Sequence, residues 1–391
     1  MSDLGSRLQS VRKRRGLRQT ELSALSGVSV SWIRKIEQGT VREVRLETLR
    51  KLAVALRVRT TVLQADDHDV EHADMETQDL WEPVRRALAG HHPDTVDEPA
   101  SVDGVLAEFN ALRPMLETHH YGQMATRLPM LLRDADSLDV SEEQGRAIRA
   151  RLLTMAGWLL TQNRQFETAA ETLDRAMDAA DNRVDIAAAV NTKVWGLLRQ
   201  GCLDEARDLA IRWADDIEPK FSRATARELA VWGRLWLGVA NAAVRNNQPG
   251  ETADALSLAR AAAHRIGREI VNDEATVRTF GPVTVAHIQA EAHVIDGQPD
   301  KTLAIAEHAP RDILNPVSAG RLRHRLDVAN AHTMLKQYGE AFAEIQELHA
   351  LAPEWIVQQR YARDVLGNVI AGRRTLTDEM RTLADAIKLD Y

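Results

Sequence analysis

Apolar residues recur every three or four positions along most of the chain, and this spacing is typical of amphipathic α-helices. The segment 46–56 is a clear case, because Leu46, Leu49, Leu52 and Leu56 fall on one helical face. Runs of β-branched residues are scarce, and no apolar run approaches the length of a transmembrane helix. The pattern therefore predicts an all-α protein, and its 391 residues are enough for more than one domain.

The stretch from Arg18 to Leu56 predicts two short helices, roughly 19–26 and 30–38, joined by a sharp turn at Gly27. Ser29 is a good N-cap for the second of them. A first helix over 4–15 and a further helix over 46–56 complete a small domain. The positions predicted to close its core around the turn are Leu22, Leu25, Val28, Ile33 and Ile36.

These residues resemble the helix-turn-helix of the Cro and lambda-repressor class, often called Xre-type. The resemblance covers residues 4 to 63. It rests on Gln19 at the start of the first of the two helices, on the Leu-Ser-Ala-Leu-Ser-Gly-Val-Ser turn, and on the ending Ile-x-x-Ile-Glu-x-Gly. The resemblance implies DNA binding with the second helix in the major groove. The implied DNA-contacting residues are Gln19, Thr20, Ser29, Val30, Ser31, Arg34, Lys35, Gln38 and Arg42.

Charge agrees with that expectation. Residues 1–65 hold 14 Lys or Arg and 5 Asp or Glu, so their net charge is +9, whereas the whole chain carries −7. A basic module on an acidic body is typical of proteins that contact phosphates. The alternative is a solvated basic face on a small helical domain.

Residues 66–104 hold 12 acidic residues and 2 Arg, a net charge of −10, and we interpret them as an acidic linker. One helix is predicted within it, over 75–88, with Leu80, Val84 and Leu88 on one face. His68 and His72 are four residues apart, but a solvated linker is a better reading than a metal site.

From residue 105 to 391 the pattern is one of paired helices. Five segments share the same form, in which a helix ends, a polar turn follows, and a second helix opens with a small residue. This form resembles the tetratricopeptide repeat, although the spacings of 37, 46, 50 and 39 residues between copies exceed the usual period of about 34. We therefore predict a degenerate, tetratricopeptide-like helical solenoid. The small anchor residues are Ala169, Ala206, Thr252, Thr302 and Ala341.

In tetratricopeptide proteins the first helix of each pair lines the concave surface, and this register predicts a ligand-binding groove. Asn side chains there offer both a donor and an acceptor to a peptide backbone, and Trp offers apolar area with one donor. The alternative is ordinary packing, since Trp at helical spacing is usually core. The predicted groove residues are Trp158, Asn191, Trp195, Arg199, Asn241, Arg245, His287, Glu291 and Asn330.

No pattern indicates an enzyme, a cofactor or a metal centre. The chain has no phosphate-cradling glycine loop, paired-cysteine metal motif or nucleophile elbow. His287 and His293 lie near Glu291 in the sequence, but the pattern does not favour a catalytic role for these three residues. Cys202 is the single cysteine, so no internal disulfide is expected, and a reducing cytoplasm is the expected compartment.

The combination of modules resembles the peptide-pheromone-responsive regulators of Gram-positive bacteria and the repeat-containing Xre-type regulators of actinobacteria. It implies a cytoplasmic transcriptional regulator that binds an inverted-repeat operator as a homodimer. The repeat domain would dimerise and sense a peptide or small-molecule effector. The rival hypothesis is a repeat scaffold that recruits a partner protein to DNA.

Overall fold

The computed structural model describes residues 4–41, 44–64, 75–90, 100–139, 141–309, 314–315, 317–373 and 375–389. Within these ranges the chain is almost wholly helical, which confirms the predicted all-α class, and it contains one two-stranded hairpin. None of the helices in these ranges is long and apolar enough to cross a membrane.

The N-terminal domain has four helices and a final 3-10 turn, at nearly the predicted positions. Their apolar faces close one small core, in which Leu8, Leu22 and Ile33 are fully buried. The prediction for Leu25 was wrong, because this side chain is 62% exposed in the last turn before Gly27, where no element covers it. The elements are α1 Leu4–Arg14, α2 Gln19–Ser26, α3 Val30–Glu37, α4 Leu46–Leu56 and the turn Thr60–Val62.

The helix predicted within the acidic segment is α5, Met75–Leu88. Trp81 and Val84 on this helix are fully buried, and they belong to the same apolar core as the helices that follow, whereas Leu80 is exposed. This helix therefore packs as part of the repeat region. His68 and His72 lie outside the described residues.

Six consecutive helix pairs follow, and the second helix of each begins after a tight turn. Each predicted anchor residue is the fourth residue of a second helix and is at most 5% exposed, so the predicted repeat turns are confirmed. The first helices are α6 Val102–Glu117, α8 Glu143–Gln162, α10 Arg183–Gln200, α12 Ala226–Arg245, α14 Pro282–Ile295 and α16 Ala319–Met334. The second helices are α7 Tyr121–Asp136, α9 Phe166–Ala179, α11 Leu203–Asp216, α13 Pro249–Ile266, α15 Pro299–His308 and α17 Tyr338–Leu351.

Three shorter helices follow, and they help to join the first and last repeats. They are α18 Pro353–Val357, α19 Arg360–Gly372 and α20 Asp378–Ala386. His119, between α6 and α7, donates from Nε2 to the carbonyl of Val317 (2.6 Å), and the carboxylate of Glu354 accepts from the amide of Gly122 (3.0 Å). Helices α5–α9 and α16–α20 contribute to one apolar core. The stack of repeats therefore closes on itself.

A β-hairpin lies between α13 and α14. Its strands, β1 Ile270–Asp273 and β2 Arg278–Phe280, are antiparallel, with Ile270 opposite Phe280. Phe280 is fully buried against α12, where a Cβ on Gly233 would lie 2.2 Å from the Phe280 ring. The hydrophobic pattern does not predict this hairpin, because two strands of four and three residues leave too short a pattern to recognise.

Candidate DNA-binding surface and inner face of the repeats

The local geometry between α2 and α3 follows from two residues. Gly27 has φ of 70°, a left-handed conformation that costs glycine little, and it ends α2. Ser29 then caps α3 by accepting a hydrogen bond from the amide of Trp32 (3.3 Å). Ile33 and Ile36 turn into the core, so the opposite side of α3 faces outward.

A buried ion pair joins α1 to the end of α3. Arg12 donates from Nε and Nη2 to the two carboxylate oxygens of Glu37 (2.6 and 2.7 Å) and from Nη1 to the carbonyl of Leu17 (2.8 Å). Gln19 also donates to Glu37 (2.8 Å). Burial raises the pKa of Glu37, but the hydrogen bonds from Arg12 and Gln19 and the Arg12 charge outweigh it, so this pKa lies below its ordinary value. The pair fixes the orientation of α3 in the domain.

The structure places most of the predicted DNA-contacting side chains on one open surface. Val30 is half-buried, whereas Gln19 lies at the edge of this surface with its amide committed to Glu37. Arg42 lies outside the described residues. The exposed members of the predicted set are Thr20, Ser29, Ser31, Arg34, Lys35 and Gln38.

The opposite side of this domain is anchored to the repeat region through Arg50 of α4. Its guanidinium donates to the carbonyls of Val244 (2.8 Å) and Ile295 (2.6 Å), at the ends of α12 and α14, and pairs with Asp296. Carbonyls at a helix C-terminus lack helical partners, so a cation there is well placed. Thr60 adds a hydrogen bond from its hydroxyl to the carbonyl of Arg245 (2.7 Å).

Further contacts extend this anchorage around the rim of the repeats. The amide of Thr61 donates to the side chain of Asn246 (3.1 Å), and Gln64 donates to the carbonyl of Gly201 (2.9 Å). Arg45 pairs with Asp364 of α19. The domain is therefore held through α4 and the segment 60–64, while the outer side of α3 remains exposed.

An ion-pair network crosses the inner face of the repeats. Glu291 on α14 is 7% exposed, and its Oε1 accepts from Arg245 on α12 (2.6 Å) and from Arg323 on α16 (3.0 Å). Burial raises the pKa of Glu291, but the two arginine charges outweigh this effect and leave that pKa below its ordinary value. Arg245 also donates to the backbone and side-chain oxygens of Asn241 (3.0 and 3.1 Å). Three successive first helices are thus joined by one buried carboxylate.

Asp327 lies beside this network, and its pKa is shifted in the opposite direction to that of Glu291. It is 1% exposed, its nearest ion-pair distance is 3.8 Å to Nε of Arg323, and its Oδ1 has no hydrogen-bond partner. Burial raises the pKa of Asp327 to about 8, because a distant arginine compensates poorly for lost water. Tyr361 of α19 covers the same region, with its ring 4.3 Å from the Arg323 guanidinium carbon.

His287 and His324 stack face to face on the same inner surface, with ring centroids 4.0 Å apart. Burial lowers the pKa of His287 to about 3 and that of His324 to about 4, so both rings are neutral near pH 7. The described residues contain no group of three or more His, Cys, Asp or Glu side chains that could hold a metal ion.

An aromatic group continues the inner face toward α8. Trp158 and Trp195 stack with ring centroids 6.1 Å apart, and the Arg199 guanidinium lies 5.1 Å from the Trp195 ring. Nη1 of Arg199 donates to the carbonyls of Thr161 and Gln162 (3.2 Å each), and burial lowers the pKa of Arg199 to about 9.

Asn191, also in the predicted groove, uses its amide within the fold. It donates to the carbonyls of Ala187 and Val231 (3.2 Å each). The β-hairpin lies across the same face: Arg278 donates to the carbonyl of Asn191 (3.5 Å), and Arg234 of α12 donates to the carbonyl of Thr279. Much of the predicted groove is therefore occupied by the chain itself.

The structure joins the predicted groove residues in smaller sets. Arg245 contacts both Asn241 and Glu291, while Trp158, Trp195 and Arg199 form a second set. Sequence reasoning missed Arg323 and Asp327. The available signal was their spacing with Asn330 at i, i+4 and i+7, which puts all three on one face of α16.

Comparisons with known proteins identify the N-terminal domain. Residues 8–63 match the helix-turn-helix family HTH_3, so this segment is an Xre-type helix-turn-helix domain, a class of DNA-binding regulators. No curated protein matches the chain. Among solved structures, the chain is similar to ComR from S. thermophilus, crystallised in complex with DNA and its signalling peptide ComS. That similarity covers 89% of this chain and 99% of ComR at 13% identity, with a TM-score of 0.25, which does not establish a shared arrangement of the repeats.

Proposed function

We propose that this protein is a cytoplasmic, sequence-specific transcriptional regulator that binds an inverted-repeat operator as a homodimer and senses a peptide or small molecule through its repeats. The observation that carries the proposal is the placement of α3. Its outer side presents Ser31, Arg34 and Lys35 to solvent, while Arg50 and Thr60 tie the opposite side of the domain to the repeat region. A helix held in this way is free to enter a major groove.

Replacing Arg34 or Lys35 with Ala is expected to weaken DNA binding in two distinct ways. Arg34 is assigned to a base edge, so its loss costs about 1–3 kcal/mol and relaxes specificity at one base pair. Lys35 is assigned to a phosphate, so its loss weakens all sequences alike and lowers the salt dependence by about one unit. Binding isotherms at several salt concentrations measure both effects.

Lys51→Ala is the matched control for these variants. Lys51 is also an exposed cation of the domain, but it lies on α4, where it pairs with Glu47 (2.6 Å). Its removal changes net charge by the same amount and leaves α3 intact. Equal losses in all three variants would indicate a general charge effect and would contradict the assigned roles.

Dimerisation is part of the proposal because a single recognition helix reads only a few base pairs. A two-fold operator requires two such helices, with half-sites about one helical turn apart. The repeat region is the larger surface available for pairing, and the anchorage through Arg50 would fix the distance between the two domains.

The inner face supports the sensing role by its chemistry. Trp195 is partly exposed, and Arg199 donates to the carbonyls of Thr161 and Gln162 from the same nitrogen, Nη1. An effector with an anionic group and an apolar part would satisfy both side chains. Entry requires a rearrangement around the β-hairpin, so a ligand would bind by shifting the population toward an opened form.

We expect a size-fractionated extract of the cells that make the protein to change its tryptophan fluorescence and its affinity for the operator. Trp195→Phe should abolish the fluorescence response, because the indole stacked on Trp158 is the reporter at the inner face. Trp213→Phe is the control, since Trp213 lies beside Arg183, at the start of α10, away from the Trp158–Trp195 stack. If the fluorescence response persists in Trp195→Phe but is lost in Trp213→Phe, the effector binds near Trp213 and not at the inner face.

The second candidate function is a scaffold that recruits a partner protein to DNA. An open depression lined by Arg183, Arg212 and Trp213 favours it, because such a surface is accessible without rearrangement of the repeats. A scaffold need not change its operator affinity when a small ligand is added, so the same titration separates the two functions.

A further inference from the structure

Trp32 is an exposed aromatic side chain on an otherwise polar surface. It lies in the first turn of α3, between Ser31 and Arg34, and 38% of it is exposed. The core beneath is formed by Ile33 and Ile36, which are at most 2% exposed. Ser29 caps α3 through the backbone amide of Trp32 and not through its indole. The cap therefore uses the backbone of Trp32 and leaves its indole partly exposed to solvent.

The chemistry of the major groove offers a partner for that indole. Each thymine presents a C5-methyl group there, and this methyl is the apolar feature that distinguishes thymine from the other bases. The first turn of a recognition helix is the part that reaches base edges. Ser31 in the same turn supplies a hydrogen-bonding group, and the indole supplies the large apolar surface.

We propose that Trp32 determines specificity by packing against the C5-methyl group of a thymine in each half-site. The inference rests on the proposed DNA binding by α3 and adds the base that this position selects. Burial of one methyl group against the indole corresponds to about a fourfold difference in affinity between thymine and uracil.

The test uses the full chain and a duplex that the wild-type protein selects from a random-sequence pool. Each thymine of the selected site is replaced by uracil in turn, which removes the methyl and leaves every hydrogen-bonding group in place. The wild-type protein is expected to lose about fourfold in affinity at one thymine of each half-site and to be unchanged at the others. Trp32→Ala is expected to bind the thymine and uracil duplexes equally, in the manner of a double-mutant cycle.

Leu25→Ala is the matched control. Leu25 is the other large apolar side chain that is strongly exposed near the turn between α2 and α3, at 62%, but it lies on α2. The Leu25→Ala variant should keep the full preference for thymine over uracil. Trp32→Leu, which retains an apolar side chain, should keep part of it, and thermal unfolding of each variant shows that the domain remains folded.

The proposal is overturned if wild type and Trp32→Ala show the same sensitivity at every thymine, or if no thymine methyl affects wild-type binding. A result in which Leu25→Ala and Trp32→Ala change self-association but not thymine preference would instead assign the two side chains to a protein contact. If the wild-type protein selects no duplex at all, the proposed DNA-binding function is wrong. If it selects a duplex but shows no thymine preference through Trp32, this inference alone is wrong.

Discussion

Glu291→Gln is expected to lower the free energy of unfolding by about 3 kcal/mol, whereas Asp327→Asn is expected to raise it at pH 7. Both substitutions replace a buried carboxyl with an amide of the same shape. Glu291 is the counter-charge of Arg245 and Arg323, at 2.6 and 3.0 Å, so its loss leaves two partly buried cations without that counter-charge. Asp327 holds a proton in the folded protein at that pH, because burial raises its pKa to about 8, whereas the unfolded chain has released it, and the amide removes this cost.

The double variant sharpens this prediction. When Glu291 is replaced, Asp327 becomes the nearest acid to Arg323, at 3.8 Å, and it can ionise to compensate in part. Asp327→Asn should therefore be stabilising alone and should lose this gain in the Glu291→Gln background. Chemical denaturation of the four proteins measures this coupling. Additive effects would show that the two carboxyls do not share the arginine.

The protonation of Asp327 also fixes the sign of a pH dependence. Its pKa is about 8 in the folded protein and 3.8 as its ordinary value, so across that interval the folded state holds a proton that the unfolded state has released. Stability from this group therefore falls as pH rises toward 8. His287 and His324 have folded pKa values below their ordinary 6.5, so their effect lies below pH 6.5. Between pH 6.5 and 8 the wild type should lose stability relative to Asp327→Asn.

Arg12→Ala is expected to destabilise the helix-turn-helix domain by about 3 kcal/mol, at the lower end for a broken buried pair, because this pair lies near the surface of a small domain. The substitution leaves the Glu37 carboxylate, whose side chain is 1% exposed, with Gln19 as its remaining side-chain donor. Hydrogen exchange resolved by segment should show the loss in residues 4–64 and not in α8–α17. DNA binding should fall with the folded fraction.

The control is the double substitution Arg12→Met with Glu37→Leu, which replaces the pair by apolar side chains and leaves no uncompensated charge. It should recover most of the lost stability. The pKa of Glu37 lies below its ordinary 4.5, so the pair contributes stability above pH 4.5 that is lost as pH falls through the folded-state pKa. The double variant should lack this acid sensitivity, and an unchanged acid transition would exclude Glu37 as its source.

Local sequence signals determined much of the DNA-binding domain. Gly27 permits the turn, Ser29 caps the next helix, and the spacing of Ile33 and Ile36 decides which side of α3 faces solvent. These effects act within a few residues, so they can be read without knowledge of the fold. Local signals were not sufficient for Leu25, because the burial of an apolar residue depends on which element packs over it.

The repeat region shows the same division. The small residue at the fourth position of each second helix is required wherever two paired helices approach closely, so the anchors were visible in the sequence even at irregular spacing. The inner-face assignments were less complete, since the rotation of α16 about its own axis decides whether Asp327 or Leu326 faces Glu291 on the neighbouring helix. A difference of one residue turns a helical side chain by about 100°.

The sequence by itself therefore determined the helical class, the Xre-type motif, the repeat turns and the basic outer side of α3, because each depends on local spacing and charge. Only the tertiary structure decided the closure of the repeats on themselves, the β-hairpin across their inner face and the anchorage of Arg50 on the ends of α12 and α14. These features join residues about 90 to 250 positions apart, as in the pairs Arg278–Asn191 and Arg50–Ile295. Their physical cause is the pairing of carbonyls, carboxylates and cations that become neighbours only after the helices have packed.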